Sequence, residues 1–329
     1  MSSDRNTNIM TALFDVAHRE LFMDVPYKDR DGNPKTLNKK VERFQALVDV
    51  EKEFVFAVTS DNYKLITNYE AIELGKECFK KVFSKNSVEG MELFNITMPT
   101  TRSFCLIDYV HRENRFEFSR NDDWSPFLRI TNSYNKTKPL RFEMGFCRWI
   151  CSNGLIFGKK SITFKFMHSK SSKVNQIHFE TNFGEVAALE KEFLGKLHNL
   201  KRFSFPQRYI FPMICKFMGV NPSTKDLQDN LKRNKILQFK KHVLAVTEKY
   251  YNEMDPDGYA ALNVITDLAS RPQELGIGMS GATMVDTLQK RCGEWTDEFI
   301  NLIKSEDFSF DKYLGDSQRI SKIILDLSA

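Results

Sequence analysis

Between Trp124 and Phe179 the chain carries ten basic side chains and a single acidic one, Glu143. The cations are Arg129, Lys136, Lys138, Arg141, Arg148, Lys159, Lys160, Lys165, Lys170 and Lys173. Aromatic residues are interleaved with them, including Trp124, Tyr134, Phe142, Phe146, Trp149 and Phe164. Cations displace counterions from a phosphate backbone, and ring faces stack on bases. The segment therefore points to nucleic acid, single-stranded DNA first, as partner. The residues this reading assigns to the contact are Arg129, Asn132, Tyr134, Lys138, Arg141, Arg148, Asn153, Lys159, Lys160 and Lys165. The whole chain carries only +5 over 329 residues, so the clustering and not the net charge carries the expectation.

Several of these residues have a structural reading beside the functional one. Arg148 sits among Phe146, Cys147, Trp149 and Cys151. Its planar donors suit either a buried fork to a carboxylate, with Glu143 and Asp267 as candidates, or a clamp on phosphate. Asn132-Ser133-Tyr134-Asn135 and Asn153-Gly154 are turn formers, and Asn-Gly is the strongest short hairpin signal. They either set the register of a sheet or present polar groups at its edge. Ser161 to Phe166 alternates, placing Ile162, Phe164 and Phe166 on a core face. A second basic run, Lys232, Arg233, Lys235, Lys240 and Lys241, reads as a solvated helix face.

Signatures of catalysis are sparse. Gly276-Ile277-Gly278-Met279-Ser280-Gly281 spells a dinucleotide fingerprint, but a helix precedes it where a strand is required. No phosphate-binding loop, zinc-protease or nucleophile-elbow string occurs. The six histidines lack ligand spacing, and Cys147 and Cys151 have no second pair to complete a zinc site. The six cysteines are expected to be reduced thiols of a cytoplasmic protein. Asp108 to His111 and Asp122-Asp123 could feed a metal site of nuclease type, but nothing in the sequence brings them together, and Asp122-Asp123 reads more simply as a solvated turn. No catalytic residue, metal ligand or cofactor is assigned.

The elements that must position these side chains change character near residue 183. Before it, short runs of strand type dominate: Phe54 to Thr59, Tyr63 to Thr67, Leu93 to Met98, Ser103 to His111, Phe127 to Tyr134, Leu140 to Phe146 and Ser161 to Met167. A helix of about 16 residues starts at Asn68 as its cap. After Gly184 the pattern is helical: Glu185 to Phe203, Gln207 to Met218, Lys225 to Met254, Gly258 to Ser270, Ser280 to Ser305 and Ser317 to Leu327, with Ser223 and Ser317 at cap positions. The fold class is α+β: an N-terminal segment 1–40, an antiparallel α+β domain 41–183, and a helical region 184–329 packing on it. Asp29 to Lys40 is polar and basic and reads as a flexible loop. No apolar run reaches the length that spans a bilayer, so no membrane association is expected.

Two islands add a resemblance. One runs Ile130-Thr131-Asn132-Ser133-Tyr134, then Leu140 to Gly154 with Gly145-Phe146-Cys147-Arg148-Trp149-Ile150-Cys151-Ser152-Asn153-Gly154. The other is Tyr259 to Ser270, with Asn263-Val264-Ile265-Thr266-Asp267-Leu268-Ala269. Together they resemble the phage- and plasmid-borne family known as domain of unknown function nine-three-two, over about residues 50 to 271. The resemblance implies a mobile-element origin and an intracellular role in a bacterial host, and supplies no activity. The leading expectation is a non-enzymatic DNA-binding or annealing protein of replication or transfer. The alternatives are a protein–protein module countering a host defence protein, and a metal-dependent nucleic-acid enzyme. Oligomers are compatible with each. Asn263, Thr266, Asp267 and Ser270 share one helix face, which is expected to meet the Asn132 or Asn153 loop.

Overall fold

The structure is a computed structural model and describes residues 8–82, 88–113, 115–119, 122–148, 153–155, 162–170, 183–277 and 282–328. Its elements, in chain order, are β1 (Val16–Lys28), β2 (Pro34–Asp49), β3 (Phe54–Ser60), α1 (Asn68–Val82), β4 (Met91–Thr97), β5 (Phe104–His111), β6 (Phe116–Ser119), β7 (Asp122–Ser133), β8 (Leu140–Arg148), β9 (Asn153–Leu155) and β10 (Ile162–Phe166). Helices follow: α2 (Phe183–Arg202), α3 (Ile210–Met218), α4 (Thr224–Gln228), α5 (Asn230–Glu253), α6 (Gly258–Ser270), α7 (Ala282–Ile303), α8 (Phe310–Leu314) and α9 (Asp316–Leu325). Antiparallel strands first and helices after make the fold α+β. Among the described residues no helix is long and apolar enough to cross a membrane.

Two compact units share the chain. Unit 1 is Met1–Arg112, Leu128–Met144 and Ile162–Glu180; unit 2 is Glu113–Phe127, Gly145–Ser161 and Thr181–Ala329. Strands β7 and β8 are each divided between them, so neither unit is one continuous stretch.

In unit 1 the strands lie in the order β10-β8-β7-β5-β4. Helix α1 covers one face of this sheet. A Cβ on Gly75 of α1 would stand 2.8 Å from Ile130 and 3.2 Å from Phe142, so only glycine lets the helix come this close. Alternation then puts Arg129, Thr131, Arg141 and Glu143 on the opposite face. The start of α1 differs from expectation. Thr67, one residue earlier than Asn68, makes the capping box: its hydroxyl accepts from Glu70 N, and the Glu70 carboxylate accepts from Thr67 N at 2.8 Å. Tyr63 to Thr67 forms no strand; Tyr63 makes a single bridge to Ser169.

The largest correction lies in the segment read as a flexible loop. Pro34–Lys40 belongs to β2, and β1 and β2 pair continuously from Phe22↔Lys40 to Lys28↔Pro34. The turn between them is built by Asp29, whose carboxylate accepts from Asp31 N at 3.0 Å and Asn33 N at 2.9 Å, with Gly32 at φ 82°. Strand β3 pairs only with Phe44–Asp49, so the outer part of β1–β2 is a two-stranded ribbon. Both its faces meet solvent, so the sequence lacks the alternation that marks a half-buried strand.

Unit 2 is a helical core with Phe239, Leu262, Ile265, Leu268 and Phe299 at its centre. Helix α6 matches its expected bounds and is buried from Gly258 to Ala269. Asp257 caps it by accepting from Ala260 N at 2.9 Å. The helix expected over Lys225 to Met254 is two helices. Asp229 is extended between them, and its carboxylate caps the N–H groups of Leu231 and Lys232. The basic run on α5 is not merely a solvated face. Lys232 pairs with Asp226, Arg233 donates to Ser328 O, and Lys240 donates to Leu325 O and Leu327 O. Arg233 and Lys240 thereby close the carbonyl end of α9, where the helix dipole favours positive charge. Helix α9 itself begins at Asp316 with Gly315 as its cap position, so Ser317 lies inside it.

Candidate nucleic-acid interface

Most of the described residues assigned to nucleic acid turn out to hold the protein together. Arg129 on β7 is 1% exposed and forks onto Asp108 of β5, Nε to Oδ1 and Nη2 to Oδ2, both at 2.7 Å. A bidentate pair of this kind occupies the planar donors that a phosphate would need. Arg141 Nε lies 2.9 Å from Glu143 Oε2, two residues along the same strand face.

Asn132 and Tyr134 form a hub at the start of α1. The Asn132 amide donates to Ile66 O and to Asn68 Oδ1, both at 2.9 Å. The Tyr134 hydroxyl accepts from Asn68 N at 2.8 Å, and the Asn68 amide donates to Ala12 O. Burial pushes the Tyr134 hydroxyl pKa up. Its ring stacks on Phe56 at 5.4 Å, inside the core that also holds Phe14 and Leu47. The Asn-Ser-Tyr island of unit 1 thus ends strand β7 and anchors the start of a helix, where it was expected as a turn between strands.

In unit 2 Arg148 resolves in the same direction, with a different partner. Its Nε donates to Asp122 Oδ1 at 2.6 Å and its Nη1 to Asn263 Oδ1 at 2.7 Å. Glu143 and Asp267 were the expected carboxylates. Asp122, expected in a solvated turn, is 3% exposed. Its second oxygen accepts from the Tyr259 hydroxyl at 2.5 Å, which in turn accepts from Trp124 Nε1 at 3.1 Å. Burial and the Asp122 charge raise the Tyr259 pKa against the lowering pull of Arg148, so its proton stays on the donor side. The chain of donors and acceptors joins both sequence islands: Arg148 belongs to the first, Tyr259 and Asn263 to the second.

Asp267 is held by partners within unit 2. It accepts from the Tyr250 hydroxyl at 2.8 Å and pairs with Lys249 and Arg271, all from its own helical neighbourhood. Helix α6 does lie beside β9, which starts at Asn153. Asn153-Gly154 is not the centre of a hairpin turn: both are strand residues of β9, opposite Arg148 and Cys147. Lys159, Lys160, Trp149 and Cys151 lie outside the described residues.

What remains accessible in unit 1 is a set of lysines at one end of its sheet. Phe166 pairs with Leu140, so the chain beyond β10 passes the β7–β8 turn. There Lys170 N donates to Asn62 O at 3.0 Å and Lys64 N to His168 O at 3.4 Å. This gathers Lys64 and Lys170 near Lys136 and Lys138 of the turn, with Lys165 one residue before the last β10 pair. Lys136, Lys165 and Lys170 are exposed. Lys138 is half-buried and sits over the Phe104 ring at 5.3 Å. Sequence reasoning found Lys138 and Lys165 but passed over Lys64, whose place comes from the bridge between Tyr63 and Ser169.

The family model described as "Domain of unknown function (DUF932)" matches residues 55–293. No curated protein and no solved structure matches the chain.

Proposed function

Since this chain belongs to the DUF932 family, whose description assigns no activity, we propose its role from its own surface: it binds nucleic acid, single-stranded DNA before duplex. The observation that carries this is the lysine end of unit 1. Lys64, Lys136, Lys165 and Lys170 have no carboxylate at ion-pair distance among the described residues. Cations left unneutralised at one end of a rigid sheet are the groups that gain from exchanging counterions for phosphates. In this reading the protein protects or anneals DNA during replication or transfer of a phage or plasmid, in the cytoplasm of a bacterial host.

The test is a fluorescence-anisotropy titration of labelled single- and double-stranded oligonucleotides at two salt concentrations. The expected result is binding that weakens steeply with salt, tighter for the single strand. Absence of binding to either form at low salt overturns the proposal. A metal-dependent nuclease would need gathered carboxylates, and the described residues contain no group of three or more His, Cys, Asp or Glu placed to hold one ion.

A further inference from the structure

The three-stranded sheet of unit 1 has an outer face of unusual chemistry. Antiparallel partners point to the same side, and residues two apart on a strand share it. On β1 the outer positions are Ala17, Arg19, Leu21, Met23, Val25 and Tyr27. Opposite them on β2 stand Val48, Ala46, Lys39, Leu37 and Lys35. Phe44, Val55 and Val58 continue the same side where β3 joins. Of the acids on β1 and β2, Glu20, Asp24 and Asp49 fall on the inner side, and Glu42 lies in the stretch 41–43 between the two paired segments.

This face is apolar and basic, and most of its large side chains meet solvent. Met23, Tyr27, Leu37 and Phe44 are each 47–55% exposed, and Val58 is 49% exposed. Large apolar side chains gathered on one surface mark a place where something docks. The inner side differs in carrying acids, with Asp24 bonded to Asn38 at 2.9 Å and Glu20 paired with Lys40 at 2.5 Å, beside Phe22 and Lys28. On the outer side Arg19 and Lys39 have no carboxylate at ion-pair distance among the described residues, while Lys35 is shared with Asp29 of the turn.

We infer that this outer face is the bed of a single nucleic-acid strand, its unpaired bases lying on Tyr27, Leu37 and Phe44 and its phosphates beside Arg19 and Lys39. The inference rests on the nucleic-acid reading above and adds a second, base-contacting surface to the lysine end. An occupant must bring flat apolar surface and negative charge together, and an unpaired strand does both. A duplex hides its bases and offers only the charge. A second copy of this chain would set Arg19 and Lys39 against their own like, with no acid at the paired positions of the face to separate them, which costs free energy. The ribbon from Phe22 to Lys40 is two-stranded, and such a ribbon is marginal on its own in water, so an occupant that covers its apolar side also steadies it.

The experiment uses the full chain with labelled oligothymidine and a duplex of equal length. Four variants are compared: Tyr27→Ala and Lys39→Ala on the outer face, Lys28→Ala on the inner face, and Lys170→Ala at the lysine end. All four side chains are exposed, and circular dichroism checks that each variant keeps its fold. The expected result is a loss of about tenfold or more in single-strand affinity for Tyr27→Ala, with duplex affinity unmoved. Lys39→Ala flattens the salt slope by about 0.7, and Lys28→Ala leaves it as it was. Loss confined to Lys170→Ala overturns the inference and leaves the nucleic-acid reading standing. A wild type that binds neither oligonucleotide overturns that reading and the inference with it. Equal losses for Lys28→Ala and Lys39→Ala, or a change of oligomeric state in Tyr27→Ala by sedimentation, also overturn the inference.

Discussion

Arg148 and Asp122 form an ion pair of 2.6 Å inside unit 2, with 2% and 3% of their surfaces exposed. Removing the arginine strands a carboxylate that keeps its hydrogen bond from Tyr259 and loses its counter-charge. Arg148→Ala is expected to destabilise unit 2 by about 3–5 kcal/mol and to leave DNA affinity unchanged at a temperature where the variant is folded. Tryptophan emission is the measurement, because Trp124 and Trp295 fall in unit 2. An unaltered melting temperature with a weaker, flatter salt dependence of binding would return Arg148 to the role of phosphate clamp.

The Arg129–Asp108 fork predicts strong non-additivity. Each single replacement, Arg129→Met or Asp108→Leu, leaves one buried charge alone and costs about 3–5 kcal/mol. The double variant removes both charges and is expected to cost far less than the sum of the two. A double-mutant cycle by urea unfolding measures the coupling. Additive losses would mean that the two side chains do not depend on each other.

Gly75→Ala should destabilise although alanine is the better helix former. The new methyl group would meet Ile130 at 2.8 Å, and overpacking of this kind costs about 1–3 kcal/mol. Adding Ile130→Val is expected to recover part of that loss. Chemical denaturation of the two variants decides it; a Gly75→Ala protein more stable than its parent would show that α1 can back away from the sheet.

His18 and His168 flank Tyr63, the latter stacked on it at 5.3 Å. Burial lowers the pKa of both, with Lys170 adding to the effect at His18 and the backbone of Lys64 partly opposing it at His168. Among the described residues neither ring nitrogen of His168 has a hydrogen-bond partner. In the unfolded chain these rings take up protons near their ordinary pKa of about 6.5, before the folded protein does. Stability is therefore complete above about pH 6.5 and falls as pH drops below it towards the folded-state values. His242 in unit 2 is shifted the same way and contributes the same sign. His168→Phe keeps a ring against Tyr63 and should shallow the slope relative to the parent, read from urea midpoints across this range. An identical slope in parent and variant would assign the acid sensitivity to other groups.

The sequence made some of this legible and hid the rest for identifiable reasons. Helix α6 was readable to the residue because Asp257 caps it and its apolar residues recur without interruption. Strands β5, β7 and β8 announced themselves by apolar runs that are indeed buried on both sides. Strands β1 and β2 were missed because a solvent-exposed ribbon needs no alternation, and its lysines imitate a disordered loop. Asp122 was misread because the hydroxyl that explains it lies 137 positions later in the chain. Arg129, Asn132 and Tyr134 looked like ligand-binding residues because the same side-chain chemistry that grips phosphate or bases also ties a sheet to a helix. Composition showed which groups were present; it held no information on which of them were already satisfied.

The division of β7 and β8 between the two units has a consequence for how the protein is made. The Asp122 carboxylate leaves the ribosome long before the Tyr259 hydroxyl that completes its contacts, and Arg148 likewise precedes Asn263. At synthesis rates of about 5–20 residues per second, a delay of 137 residues is on the order of ten seconds. Through that interval the halves of β7 and β8 that belong to unit 2, with Trp124 and Phe146 among them, emerge without the helices that bury them. Unit 1 meets no such wait once β10 is out. A nascent chain stalled after β10 should therefore protect its first strands from protease while the segment from Glu113 to Phe127 is still cut.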